Sequence, residues 1–200
     1  MFGRIIQRTN NRFSSQNDYP VMPIKYLKPP SREPLTQTSQ TSNTTIEKTG
    51  KLKWGPSVWI FLHTIAEKIK PENFNGIKTV LIQFIYSICI NLPCPECSIH
   101  AKKYLDTINL NAIQTKDDLK KMLFVFHNYV NARKGYAIFE YNELDTKYKT
   151  AITINVINHF MHNYTDKNGV VKLISENLFR NRIVQTFKEW FKKNYSLFDP

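Results

Sequence analysis

Three cysteines occur in this 200-residue chain, and two of them form the run Cys94-Pro95-Glu96-Cys97. Two intervening residues let the sulfurs meet within one helical turn. The run sits at a predicted helix start. Cysteines at a helix N-terminus have lowered pKa values, because the unpaired N–H groups favour an anion there. Thiolate attack on a disulfide sulfur is the elementary step of disulfide exchange. The same spacing also serves metal chemistry: Cys94, Cys97 and His100, with His127 as fourth ligand, make a chemically sensible Cys2His2 zinc set. A thioredoxin-like reading would need strands alternating with helices, and the chain shows long helical apolar patterns instead. Cys89 lies within an apolar segment and reads as a small buried hydrophobe rather than a resolving thiol.

Two other runs carry polar rings on what should be core faces. Trp54-Gly55-Pro56-Ser57-Val58-Trp59 precedes Leu62-His63-Thr64, and Trp59 and His63 are four apart on one helix face. In His127-Asn128-Tyr129-Val130-Asn131-Ala132-Arg133, His127 and Asn131 repeat that spacing. Each residue alone is ordinary: a core tryptophan, a satisfied histidine, a solvent-facing asparagine. As a set they need partners, since buried polar groups are hydrogen-bonded. A large planar cofactor with many acceptors would supply them.

Helical periodicity supplies the elements that must position these groups. A first helix opens near Pro56 and carries Val58, Trp59, Phe61, Leu62, Ile65 and Ile69, with Pro71 helping to end it. A second apolar segment runs from about Ile77 to Leu92. A third helix begins at the Cys94–Cys97 turn and carries Tyr104 and Leu105. A fourth covers Lys116 to Lys134, with Leu119, Met122, Leu123, Val125, Phe126 and Val130 inward and Gly135 as its C-terminal cap. A short fifth covers Glu143 to Lys149. Short connections favour an antiparallel all-α four-helix bundle with a short fifth helix. Beyond it, Ile152 to Tyr164 reads as helix and Asp166 to Gly169 as a turn. Ser175 to Tyr195 reads as an amphipathic helix using Leu178, Ile183, Phe187, Trp190 and Phe191. The expected organisation is a disordered tail over 1–50, a bundle domain over 51–150, and a helical C-terminal extension over 151–200 that serves packing or partner binding.

Composition narrows the classes. The formal charge is +12. It is spread along the chain rather than gathered in a patch, which weighs against a nucleic-acid-binding role. No run approaches the roughly 20 apolar residues of a membrane span. Met1 to Phe13 holds three arginines without an apolar core. That lacks the pattern of a secretory signal and only faintly resembles a mitochondrial presequence. Three cysteines are too few for an extracellular disulfide scaffold.

Taken together, Trp-Gly-Pro-x-x-Trp-x-x-Leu-His-Thr, Cys-x-x-Cys-x-x-His and His-Asn-x-Val-Asn resemble, in order and spacing, the FAD-linked sulfhydryl oxidases of the Erv/ALR family, over about Lys51 to Thr150. The resemblance implies a thiol oxidase that passes electrons from dithiols through Cys94–Cys97 to FAD and then to O2, giving H2O2. It makes Cys94 the outer sulfur attacked by substrate and Cys97 the inner one facing the flavin. It places Trp54, Gly55, Trp59, His63, His100, His127, Asn128, Asn131 and Arg133 at the cofactor, with Tyr148 packing on the adenine and Lys147 near a phosphate. It implies a homodimer and no resident metal.

The departures from the family pattern are informative. The cysteine pair that staples the fourth helix to the fifth in many cellular members is replaced here by Phe124 and Tyr141, which predicts an aromatic contact in its place. Tyr136-Ala137 stands where Lys-Pro is common. Residues 1–50 and 151–200 hold no cysteine, so a dithiol protein substrate, or a separate dithiol carrier protein, must reach Cys94–Cys97 directly. This pattern is more similar to members from large cytoplasmic DNA viruses. It implies action in a host cytoplasm or virion and fits the mitochondrial intermembrane space less well. The alternative is a structural zinc-binding interaction module built on Cys94, Cys97, His100 and His127.

Overall fold

The computed structural model describes residues 54–165 and 174–200. They form seven helices: α1 (Trp54–Lys68), α2 (Phe74–Ile90), α3 (Pro95–Leu105), α4 (Lys116–Lys134), α5 (Glu143–Tyr148), α6 (Thr153–Tyr164) and α7 (Ile174–Asn194). The only extended pairing among the described residues is one isolated bridge between Ile69 and Phe198, so the all-α expectation holds. The expected tail and the Asp166–Gly169 turn lie outside the described residues. The second helix begins at Phe74 rather than Ile77. A 3-10 turn over Pro71–Asn73 leads straight into it, and Phe74 is already core at 1 % exposure.

Local chemistry explains the best-defined boundaries. The N-terminus of α4 carries a capping box: Thr115 Oγ1 accepts from Asp118 N at 3.1 Å, and Asp118 Oδ2 accepts from Thr115 N at 2.9 Å. Gly135 ends α4 with φ 71°, a conformation that favours glycine because it has no Cβ.

The first helix is the centre of the molecule. Ser57, Val58, Phe61, Leu62, His63, Thr64, Ile65, Ala66 and Lys68 are all buried, which is nearly its whole circumference. A helix buried nearly all round belongs in the interior. On one flank it meets α4 and α5. On the other, Phe61 stacks on Phe160 of α6, with ring centroids 4.0 Å apart, and meets Phe187 of α7 edge-on at 5.1 Å. Phe84 of α2 contacts Phe187 and Trp190 at 5.3 and 5.4 Å. Residues of 151–200 therefore share one continuous core with α1 and α2. The final residues return to the end of α1. Lys70 N donates to Leu197 O at 3.0 Å and Asp199 N to Lys68 O at 2.7 Å, while Thr153 Oγ1 donates to Asp199 O at 2.8 Å. No helix among the described residues is long and apolar enough to cross a membrane.

A shared core has a measurable consequence. Phe160 is fully buried, so Phe160→Ala should lower the unfolding free energy by about 3–5 kcal/mol. Urea unfolding of both proteins should remain a single transition. A separate early transition for α6 and α7 would show that they fold apart from the bundle.

Candidate active site

The cysteine pair is built by the junction of α2 and α3. Pro93 cannot continue α2, and Cys94 is extended (φ −107°, ψ 110°) with Pro95 opening the next helix. Cys94 is thus the N-cap of α3, and its Sγ accepts a hydrogen bond from Cys97 N at 3.2 Å. Ser98 Oγ ties the turn down by donating to Leu92 O at 3.2 Å or Cys94 O at 3.3 Å. Cys94 and Cys97 are joined as a disulfide with Cα atoms 5.1 Å apart. Both are half-buried, while Pro95 and Glu96 are exposed.

Only Cys97 of the pair faces inward. It lines a narrow cavity between α1, α3 and α4. Trp54, Gly55, Trp59, Phe126 and Tyr129 supply an aromatic and apolar wall, and His100, Arg133 and Lys134 share the lining with Cys97. Cys89 also lines this cavity as a free thiol at 2 % exposure. Burial pushes its pKa up to about 12, so it stays protonated and behaves as the small hydrophobe its sequence context predicts. His100 Nδ1 lies 2.7 Å from Glu96 O. A carbonyl oxygen can only accept, so Nδ1 carries the hydrogen.

Behind Trp59 the rings continue as a stack. His127 lies on Trp59 with centroids 4.0 Å apart and planes 8° from parallel. His63 stacks on Tyr148 at 4.9 Å, and His63 Nε2 is hydrogen-bonded to His127 Nδ1 at 3.0 Å. Both imidazoles are held neutral. Desolvation lowers the His63 pKa from 6.5 to about 3, with His127 and Lys147 adding repulsion. Desolvation, then Lys147, lowers that of His127 to about 4.

The sequence-predicted residues therefore fall into three groups. Trp54, Gly55, Trp59, Cys97, His100 and Arg133 meet at the cavity, with Cys94 bonded to Cys97 from outside. His63, His127 and Tyr148 form the adjoining stack. The others act around it. Asn128 uses its amide on the backbone of Phe139, donating to its O at 2.9 Å and accepting from its N at 3.3 Å. That clamp sets the Phe139 ring edge-on to His127 at 5.0 Å. Asn131 is buried beside Asn128. Lys147 Nζ sits 5.7 Å from the Phe139 ring centre and 5.9 Å from that of Tyr148.

Sequence reasoning missed Lys134 and Phe139. Lys134 follows Arg133 at the end of α4, where a basic pair also reads as a response to the helix dipole. Phe139 sits in an irregular segment with no periodicity to mark it. The expected aromatic replacement for a disulfide staple is present: Phe124 and Tyr141 meet edge-on with centroids 5.2 Å apart.

The zinc set is not assembled. Two of its four ligands are bonded to each other, and His127 is engaged with His63. Among the described residues no group of three or more His, Cys, Asp or Glu side chains converges on a common point.

A helical bundle that holds a Cys-x-x-Cys disulfide at a helix N-terminus, with its inner sulfur in an aromatic, cation-edged cavity, defines a thiol–disulfide redox site. The comparisons with known proteins agree with that class. Residues 56–149 match the model of the Erv1 / Alr family. The FAD-linked sulfhydryl oxidase of African swine fever virus (isolate Warthog/Namibia/Wart80/1980) is 34 % identical over 101 residues, covering 50 % of this chain and 84 % of the viral protein. That of isolate Tick/Malawi/Lil 20-1/1983 is 33 % identical over 108 residues, covering 54 % and 89 %. A protein of Invertebrate iridescent virus 3 is 37 % identical over 81 residues, which is 40 % of this chain but only 55 % of that relative's length. No solved structure matches significantly. The chain belongs to the Erv1/Alr family.

The neutral histidine pair gives stability a pH dependence of known sign. Above pH 6.5 both folded and unfolded imidazoles are neutral. Below it the unfolded chain takes up protons that folded His63 and His127 refuse until about pH 3 and 4. Their contribution is therefore complete above pH 6.5 and lost as pH falls toward 4. Urea midpoints between pH 7 and 4 should fall more steeply for the native chain than for His127→Gln. Parallel curves would count against the buried neutral pair.

Proposed function

We propose that this chain is an FAD-dependent thiol oxidase that forms disulfide bonds in protein substrates, moving electrons from dithiols through Cys94–Cys97 to FAD and on to O2, with H2O2 as product. One observation carries the reading: the pair straddles a boundary, with Cys97 in the cavity and Cys94 outside it. Thiols can reach Cys94 from solvent while Cys97 serves an acceptor within.

The chemistry of the lining suits FAD. Trp54, Trp59, Phe126 and Tyr129 offer apolar ring surface to a flat isoalloxazine. Arg133 and Lys134 offer cations to a diphosphate. Half-buried His127, stacked on Trp59, extends that ring surface beside the cavity. When bound, the flavin supplies a two-electron acceptor for the inner sulfur and delivers those electrons to oxygen.

The chain's own residues perform the exchange. A substrate thiolate attacks Cys94 Sγ, the Cys94–Cys97 bond breaks, and Cys97 Sγ keeps the electron pair. A second substrate thiolate then attacks the substrate sulfur of the mixed disulfide, which releases the oxidised substrate and leaves Cys94 as a thiolate. The N–H of Cys97, already directed at Cys94 Sγ, stabilises that leaving group. Loss of two electrons from the pair restores its disulfide. Within this sequence residues 1–50 and 151–200 hold no cysteine, so the dithiol donor is the substrate itself or a separate carrier protein. The viral relatives support action in a host cytoplasm or virion. The family resemblance also implies a homodimer. Since α6 and α7 cover flanks of α1 and α2, such a contact would use another surface or be replaced by these helices, and sedimentation equilibrium distinguishes the two.

The visible absorption spectrum of the purified protein, read with oxygen uptake on dithiothreitol, tests the proposal. A flavin band and uptake that Cys94→Ser and Cys97→Ser each abolish, with the flavin retained, are expected. A colourless protein after reconstitution with FAD, or full turnover by Cys94→Ser, would overturn it.

A further inference from the structure

We propose that His100 is the proton acceptor for Cys97, and that the backbone carbonyl of Glu96 fixes it in the tautomer this requires. The inference rests on the thiol-exchange reading above and concerns how Cys97 is kept as a thiolate when the pair is reduced.

His100 Nδ1 is 2.7 Å from Glu96 O. The carbonyl has no hydrogen to give, so the imidazole donates from Nδ1. A neutral imidazole carries one N–H, which leaves Nε2 with a free lone pair. Cys97 and His100 are three apart on α3, a spacing that places side chains on one helix face, and both line the same cavity.

The other groups facing that cavity do not suit the role. From α1 come Trp54 and Trp59, neither of which titrates. From α2 comes Cys89, whose burial raises its thiol to about 12, so it already holds its proton. From α4 come Tyr129, Arg133 and Lys134. The last two are cations with no lone pair to offer, although their charge also favours an anion on Cys97, and Tyr129 presents a hydroxyl, not an imidazole nitrogen. The Glu96 carboxylate on α3 lies 3.9 Å from His100 Nδ1 with its side chain 79 % exposed. Its contact is with Nδ1, the nitrogen already engaged by the Glu96 carbonyl.

The step is a proton transfer and needs no oxidant. The S–H bond of reduced Cys97 breaks, its electron pair stays on Sγ, and its proton bonds to His100 Nε2. A thiolate and an imidazolium result, with no change in total charge. Each ion stabilises the other, as for thiolates beside a cationic histidine elsewhere.

The test measures Cys97 itself. The protein with its bound cofactor is reduced without oxygen, freed of reductant and pulsed with iodoacetamide between pH 5 and 9. Labelling of the Cys97 peptide is followed by mass spectrometry. In the native chain Cys97 should label well below the pH of an ordinary thiol. In His100→Gln its labelling at pH 6.5 should slow on the order of tenfold and its profile should move to higher pH. Glu96→Ala keeps the backbone carbonyl and should label within about twofold of native, as expected for an exposed ion pair. Superimposable native and His100→Gln profiles would overturn the proposal, and a Glu96→Ala shift as large as that of His100→Gln would overturn the tautomer argument. Should His100→Gln not fold, 15N chemical shifts of the native imidazole decide: hydrogen on Nδ1 supports the proposal and hydrogen on Nε2 refutes it. Oxygen uptake surviving Cys94→Ser would sink the oxidase reading instead, without altering the labelling profiles.

Discussion

Burial of α1 on both flanks is the constraint from which the rest of the structure follows. One side of this helix must be covered by aliphatic and aromatic groups, and α6 and α7 supply them through Phe160 and Phe187. The other side carries Trp59 and His63, which an apolar partner would leave unsatisfied. A buried imidazole has to be neutral and hydrogen-bonded. His127 of α4 meets that need at 3.0 Å, and Trp59 and Tyr148 enclose the pair. The polar face that looks wrong for a core is thus completed by a second helix bearing a matching face.

Positioning that second helix is the work of contacts around the site. Lys120 of α4 ion-pairs with Glu67 of α1 and Asp145 of α5, each at 2.6 Å, with its own side chain 11 % exposed. It locks together the three helices that carry the ring stack. Phe124, Tyr141 and Phe139 do the same for the segment between α4 and α5, with edge-on contacts of 5.2 Å for Phe124 to each of the other two. Edge-to-face pairs are each worth about 0.5–1.5 kcal/mol beyond their buried area. A disulfide at the same place would contribute typically 2–4 kcal/mol. Several rings and a partly buried ion pair supply comparable restraint without thiols.

The cysteine pair owes its asymmetry to the helix it opens. Cys94 is the cap and sits outside the first turn; Cys97 lies inside it and turns toward the cavity. Capping directs an N–H at the outer sulfur, whereas the inner sulfur has His100, Arg133 and Lys134 for company. Two chemically identical side chains three residues apart thereby acquire different neighbours and different proposed tasks.

Much of this was legible in the sequence. Apolar spacing marked six of the seven helices to within a residue or two, and α4 to the residue, where the glycine stop is a local signal. The Cys-x-x-Cys run, the two i, i+4 polar pairs and the Phe124–Tyr141 substitution were also local or motif-borne, and the structure brings those aromatic partners together. Only the tertiary structure decided how these pieces meet. It set the Asn128 amide against the backbone of Phe139. It added Lys134 and Phe139, whose sequence neighbourhoods carry no period. It joined α6 and α7 to the core of α1 and α2, because burying Phe61 requires rings from residues about one hundred and more positions away. Spacing along a helix reports which side chains share a face. Which face they meet is settled only when the whole chain has packed.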